Sequence, residues 1–382
     1  MRHLTYRRFL TALLLAAASI PAWAGPTLQF AAADGVVRMP FTFDNNHIFV
    51  KATLKGGKSG SFIIESGADF TVLNARFATA AGVTSSGQSS IHTAGGSTSM
   101  SYAKTQVLVL PGLEITDDSI GVMDLSNLEP IGGWRIDGLI GNDILHEFTV
   151  RIDYAARMLT LYRPDVYKLP SGAVSLPMSE QNFTDNVFVP VSLTLPGHTP
   201  EVISCAIDTG ASYSGLNTPY VDSSGAIKAV GTTVERRSYG AGSAQVDSLM
   251  GRVSGLQLGP YLLTKPVLSL SRSKNGVFAQ DSFQGVLGND VFKRFTLTLD
   301  YADHKLVLEP NADFNTPFRT DASGLSLMAQ GDDLRSYAVM AVAPGSPAEA
   351  AGLKVGDVIQ QVDGGDASHY TLGELKQLFT QD

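Results

Sequence analysis

Along most of this chain, apolar and polar positions alternate in short runs broken by turn residues, which is a strand pattern. His47-Ile48-Phe49-Val50-Lys51-Ala52-Thr53-Leu54 reads as one such strand, and Gly56-Gly57 as the turn after it. A second strand, Phe62-Ile63-Ile64, then ends on Glu65-Ser66-Gly67-Ala68-Asp69. The same order returns roughly 140 residues later. Asn186-Val187-Phe188-Val189-Pro190-Val191-Ser192-Leu193 is the strand and Pro196-Gly197 the turn. The apolar run from Val202 to Ile207 ends on Asp208-Thr209-Gly210-Ala211-Ser212. Both halves also close alike. Gly138-Leu139-Ile140-Gly141-Asn142-Asp143 precedes Phe148 to Tyr154, and Gly285-Val286-Leu287-Gly288-Asn289-Asp290 precedes Phe295 to Tyr301. Each half is therefore expected to run strand, hairpin, strand, middle hairpin, strand, one short helix after Gly-Asn-Asp, and closing hairpin. A repeat of this length is too long for a solenoid and fits duplicated domains.

The pattern changes after a linker near Pro310 to Thr320. Ala343 to Ile359 is dense in turn residues around one short helix. Leu372, Leu375, Leu378 and Phe379 then fall on one helical face. Thr371 is the predicted N-cap and Glu374 its capping-box acid.

Composition narrows the classes. The chain has 382 residues, enough for two or three domains, and 44% of them are apolar, enough for ordinary cores. A net charge of −8 argues against nucleic acid as the main partner. Arg2, Arg7 and Arg8, the apolar stretch Phe9 to Ile20 and Ala22-Trp23-Ala24 read as a secretory signal over residues 1–24, so a periplasmic or secreted location is expected. No later run is long enough to predict a membrane span. The single cysteine, Cys205, sits in the apolar run before Asp208 and is expected to be buried rather than reactive.

Two strands that each end in a carboxylate, a hydroxyl and a glycine, with a matching downstream apolar-apolar-Gly stretch (Leu139-Ile140-Gly141; Val286-Leu287-Gly288), resemble the two lobes of the pepsin and retropepsin class of aspartic peptidases. The resemblance covers most of residues 40–310. It implies an all-β, two-lobed fold with lobes at 25–165 and 166–312. It also implies that Asp208 and Glu65 are the catalytic pair, Glu65 standing where the family has Asp. Two carboxylates about 3 Å apart share one proton. The ionised member activates a water, and the protonated member hydrogen-bonds the carbonyl oxygen as it gains charge. Ser66 and Thr209 are expected to bond across the lobes, Gly67 and Gly210 to admit close backbone approach, and Ser212 to support the second loop. By the same resemblance Asp69 binds substrate backbone. Thr93-Ala94-Gly95-Gly96-Ser97 and Ser238-Tyr239-Gly240-Ala241-Gly242-Ser243 are expected to be glycine-tipped flaps, with Gly95, Gly96, Tyr239, Gly240 and Gly242 at the substrate. The extra methylene of Glu65 keeps a second reading open, a peptide-binding pseudo-peptidase. A glycosidase-like use of the two acids fits poorly, because it needs them farther apart.

Ser346-Pro347-Ala348-Glu349-Ala350-Ala351-Gly352-Leu353 followed by Gly356-Asp357-Val358-Ile359 resembles a PDZ domain of the bacterial secreted type, placed at 321–382. Gly324-Leu325-Ser326-Leu327 is then expected to be its carboxylate-binding loop, and Leu372 to Phe379 the other wall of a groove for peptide C-termini. The chain stops before the family's usual closing strand, so an incomplete module is a further expectation. The expected partners are a polypeptide substrate and a C-terminal peptide.

Other signals fail. Gly56-Gly57-Lys58-Ser59 lacks the first glycine of a phosphate loop and reads as a turn. His47, His92, His146, His198, His304 and His369 show no metal spacing, so neither metal nor cofactor is expected. Asn142-Asp143 and Asn289-Asp290 are read as helix starts.

Overall fold

The computed structural model describes residues 25–104, 106–117, 120–181, 184–241 and 245–380. The signal expected at residues 1–24 and the flap residue Gly242 lie outside them.

The duplicated pattern folds into two sheets with one strand order. In the first, Leu113–Asp117, Gln106–Leu110, His47–Leu54, Lys58–Ile64, Gly138–Ile140, Val72–Asn74, Gly121–Met123, Gly96–Ala103 and Ser85–Thr93 are successive neighbours. The second repeats this as Tyr261–Thr264, Gly255–Leu258, Thr184–Thr194, Glu201–Ile207, Gly285–Leu287, Gly215–Leu216, Val267–Ser271, Gln245–Arg252 and Thr233–Tyr239. His47–Leu54 keeps its alternation, with Val50, Ala52 and Leu54 buried and Lys51 exposed. The carboxylate strands lie in the middle of their sheets. Phe62, Ile63 and Ile64 are all buried, as are Cys205, Ala206 and Ile207, which is why both runs are apolar without alternation.

A third sheet joins the halves. Its order is Val174–Pro177, Lys305–Pro310, Phe295–Asp300, Thr149–Asp153, Met158–Tyr162 and Val36–Pro40. The central ladder pairs Thr149↔Asp300 through Asp153↔Thr296, one strand from each half. Val150, Ile152, Leu297 and Leu299 are fully buried beneath it.

Helices are short and more numerous than the sequence pattern predicts. Besides Asn142–Leu145 and Asn289–Phe292, the first half carries Ala75–Ala80 and Glu129–Gly132, and the second carries Thr218–Ser224 and Ala226–Val230. A helix of one or two turns presents too few apolar positions to show a 3.6 period. Asn74 and Asn217 cap two of them by accepting from Arg76 N (3.2 Å) and Tyr220 N (2.9 Å).

The C-terminal module has its own small core of Leu327, Ala329, Tyr337, Val339, Leu372 and Leu375. Leu325–Gln330, Ser336–Val342 and Val358–Ile359 form its main sheet. Helix Leu372–Leu378 starts on the Thr371/Glu374 capping box, both of whose hydrogen bonds are present.

Candidate active site

The two sheets bring Glu65 and Asp208 face to face. Each leaves the end of its central strand, and each backbone amide is held from below by the apolar-apolar-Gly strand of its own half. Glu65 N donates to Ile140 O and Asp208 N to Leu287 O, both at 3.0 Å. The loops are then tied across the lobe boundary by four bonds. Ser66 N donates to Thr209 Oγ1 (3.0 Å) and Thr209 N to Ser66 Oγ (3.0 Å). Thr209 Oγ1 donates to Ile64 O (2.8 Å) and Ser66 Oγ to Ile207 O (3.0 Å). Both hydroxyl residues are fully buried, so every one of these groups depends on its partner.

The carboxyls of Glu65 and Asp208 are hydrogen-bonded to each other. Gly67 N donates to Glu65 Oε1 (3.1 Å), while Gly210 N and Ala211 N donate to Asp208 Oδ1 (2.9 and 2.8 Å). Burial raises both acids. Glu65 stands well above its ordinary range, raised first by desolvation and then by the charge and hydrogen bond of Asp208. Asp208 is raised by desolvation and drawn back by the hydrogen bond from Glu65 and the two amides. Two buried carboxyls this close hold a proton between them and titrate as a pair.

A set of polar residues beneath the pair repeats in the two halves. Asn142 Nδ2 donates to Ser66 O (2.9 Å) and Asn289 Nδ2 to Thr209 O (2.5 Å). Tyr154 of the first half donates to Asn289 Oδ1 (2.5 Å), and Tyr301 of the second to Asn142 Oδ1 (3.3 Å). Asp143 accepts from Thr71 N and Oγ1 (2.7 Å each), and Asp290 from Ser214 N (2.8 Å) and Oγ (2.7 Å). Burial pushes Asp143 up to about 7 and raises Asp290. In the sequence the two Asn-Asp pairs show only as helix starts. They do begin helices, but their side chains are spent under the carboxylate loops. The signal was the identical Gly-Asn-Asp in both halves, followed by Tyr at one place.

His47 and Asn186 were also missed, although both head strands that the sequence reading aligned. The His47 ring lies against the carbonyls of Asn45 and Gly210, and burial, followed by the charge of Lys376, pushes it down to about 4, leaving it neutral. Asn186 takes the matching place in the second half, and with its amide turned over its nitrogen donates to Ser66 O and Gly67 O (3.2 and 3.3 Å).

Other expected site residues fall as follows. Ser212 Oγ donates to Asn45 O of the first lobe (3.2 Å). Asp69 is engaged across the lobe boundary, its Oδ1 accepting from Thr184 Oγ1 (2.7 Å) and Asp185 N (3.0 Å). Gly95 sits in the turn between the Ser85–Thr93 and Gly96–Ala103 strands, and Gly240 at the end of the facing hairpin. The hairpins meet, since a Cβ added to Gly240 would stand 3.1 Å from Ala94 Cβ. Tyr239, at the end of the second hairpin's first strand, is 37% exposed. A cavity of about 540 Å³ opens between the first hairpin tip (His92, Gly95, Gly96) and Lys274, Asn275 and Gly276; the two acids do not line it. Cys205 is buried, and its thiol is pushed up to about 12. In the C-terminal module, Leu325 N of the expected carboxylate loop is already engaged by Ser323 Oγ (3.0 Å), and Gly324 O accepts from Ala343 N (2.8 Å). Ser326 and Leu327 enter the sheet at a bulge.

Residues 50–144 match the family model described as aspartyl protease, a span that holds Glu65 and ends inside Asn142–Leu145, before Asp208 is reached. Residues 339–381 match the family model of the PDZ domain. No curated protein matches the chain. The chain thus carries an aspartyl-protease-like domain and a C-terminal PDZ domain on an all-β frame.

Proposed function

We propose that this chain is a secreted or periplasmic aspartic endopeptidase whose Glu65/Asp208 pair hydrolyses peptide bonds, with the PDZ domain as its peptide-binding module. The observation that carries the reading is the hydrogen bond between these two carboxyls, on loops that are cross-tied through Ser66 and Thr209. The aspartyl-protease match over residues 50–144 supports it.

In this reading Asp208 takes a proton from a water whose oxygen attacks the peptide carbonyl carbon. Glu65 gives its proton to the carbonyl oxygen, and a tetrahedral diol forms. On collapse the C–N bond breaks, the proton on Asp208 passes to the departing nitrogen, and Glu65 recovers one from the diol. The pair ends as it began. The amides of Gly210 and Ala211 favour the ionised form of Asp208 against its burial. The facing hairpins cover the cleft and exclude bulk water around the developing charge.

A second reading, a peptide-binding relative that does not cut, draws on the extra methylene of Glu65, because a misplacement of about 1 Å costs on the order of 100-fold in rate. Digestion of casein and of a peptide library between pH 3 and 8 separates the two. Cleavage by the wild type, abolished in both Asp208→Asn and Glu65→Gln, is the expected result. Cleavage that survives Asp208→Asn refutes the mechanism. A wild type that is inert throughout, with activity gained in Glu65→Asp, establishes the second reading.

A further inference from the structure

The peptide groove of a PDZ domain runs between one strand and one helix, here Leu325–Gln330 and Leu372–Leu378. That groove is not open. Helix Glu129–Gly132 of the first lobe packs on strand Leu325–Gln330. A Cβ added to Gly133 would stand 2.5 Å from Leu372 Cβ. Lys376, one turn further along the same face, donates to Ile131 O (3.4 Å) and Asn45 Oδ1 (3.3 Å). Thr371 Oγ1 donates to Asp44 Oδ1 (2.9 Å), and Arg135 Nη2 to Asp332 O (2.8 Å). Trp134 closes the contact on the other side, its indole N–H on Asp44 Oδ2 and its ring stacked 5.1 Å from Phe49.

The turn Asp44–Asn46 gripped in this way leads straight to the second carboxylate loop. Asn45 O accepts from Ser212 Oγ (3.2 Å), and Asn46 Nδ2 donates to Ser212 O (2.9 Å). Asn46 O accepts from Asn289 Nδ2 (2.9 Å), the same amide that holds Thr209 O. A single residue, Asn45, therefore bridges Lys376 of the C-terminal helix and Ser212 of the Asp208 loop. Lys376 is desolvated at this contact; burial and the charge of Arg236 push it down to about 8, against the pull of Asp44 and Asp321.

We infer that Thr371 and Lys376 of the C-terminal module are positioning residues for the Asp208 loop, and that the module spends its peptide groove on the first lobe to hold them there. The kinetic part of this inference rests on the peptidase reading above; the physical contact does not. An outside peptide end and residues 129–133 compete for one surface, so capture of such an end releases the Asp44–Asn46 turn.

The test compares Lys376→Met, Lys376→Arg and Thr371→Val in the full chain, by amide hydrogen exchange and by kcat and KM on a cleaved peptide. Lys376→Met is expected to speed exchange at residues 44–46 and 129–133 and to lower kcat on the order of tenfold, with KM within about twofold. Lys376→Arg should restore both, which a loss of general stability would not permit. Thr371→Val, a milder change, should shift exchange in the same direction and keeps the test alive if Lys376→Met does not fold. Unchanged exchange at 44–46 in both variants overturns the inference, as does faster exchange with an unaltered kcat. A wild type without any cleavage defeats the peptidase reading alone, and the exchange result still decides whether the module braces the turn.

Discussion

The carboxyl group of Glu65 lies where a side chain on Gly210 would have to stand. The relation is reciprocal in the other direction, since a Cβ added to Gly67 would meet Asp208 Cγ at 2.5 Å. Each acid thus rests on the glycine of the opposite loop, and neither loop tolerates a larger residue there. Gly210→Ala is expected to push the Glu65 carboxyl away and to lower kcat/KM on the order of 100-fold or more, by the cost of an ångström-scale displacement. Circular dichroism of the variant should remain that of the wild type, because the clash is confined to the pair.

Thr209 supplies the other arm of the same construction. Thr209→Val keeps the shape but removes the donor to Ile64 O and the acceptor of Ser66 N, leaving two buried main-chain groups unpaired at a cost of about 3 kcal/mol in total. Thermal unfolding should show that loss, whereas Thr209→Ser, which retains the hydroxyl, should stay within about 1 kcal/mol of the wild type.

Acidity and stability are linked through Glu65. Its folded-state value is raised above the ordinary 4.5, chiefly by burial. The fold therefore favours the protonated form. That contribution is fully present below about pH 4.5 and is lost as pH rises through the raised value. Glu65→Gln, neutral at every pH, should melt above the wild type at pH 8 and close to it at pH 4. A melting difference that does not change with pH would show that Glu65 is ionised in the fold.

Shortening the same side chain tests what the extra methylene does. An aspartate at position 65 matches Asp208, which takes two amides of its own loop, Gly210 and Ala211, where Glu65 takes one, Gly67. Glu65→Asp is expected to preserve or raise kcat/KM. A fall of 100-fold or more would mean that this cleft has been built around the longer acid.

The strands that deliver Glu65 and Asp208 are legible because a buried central strand leaves an unbroken apolar run, and the glycine stretch beneath them because its apolar-apolar-Gly-Asn-Asp pattern recurs. The residues that brace the loops are not. Asn142, Asp143, Asn289 and Asp290 look like any helix start, and what distinguishes them is reach to Ser66, Thr71, Thr209 and Ser214, which are far away in sequence. Tyr154 and Tyr301 were seen as repeat markers, yet each serves the opposite half, a crossing that no single-chain periodicity records. Asp69 was read by its position in the motif, and its bond to Thr184 depends on how the lobes meet. The grip of Lys376 on Asn45 was invisible for the same reason, because it joins a module to a turn more than 300 residues upstream.

The ladder between Thr149–Asp153 and Phe295–Asp300 has one more implication. Main-chain bonds join the halves in one continuous sheet, so a clamshell opening along that ladder would have to break them. In the peptidase reading, admission of a polypeptide falls to the roof, where the hairpin ending at Thr93 and the one ending at Tyr239 touch through Ala94 and Gly240.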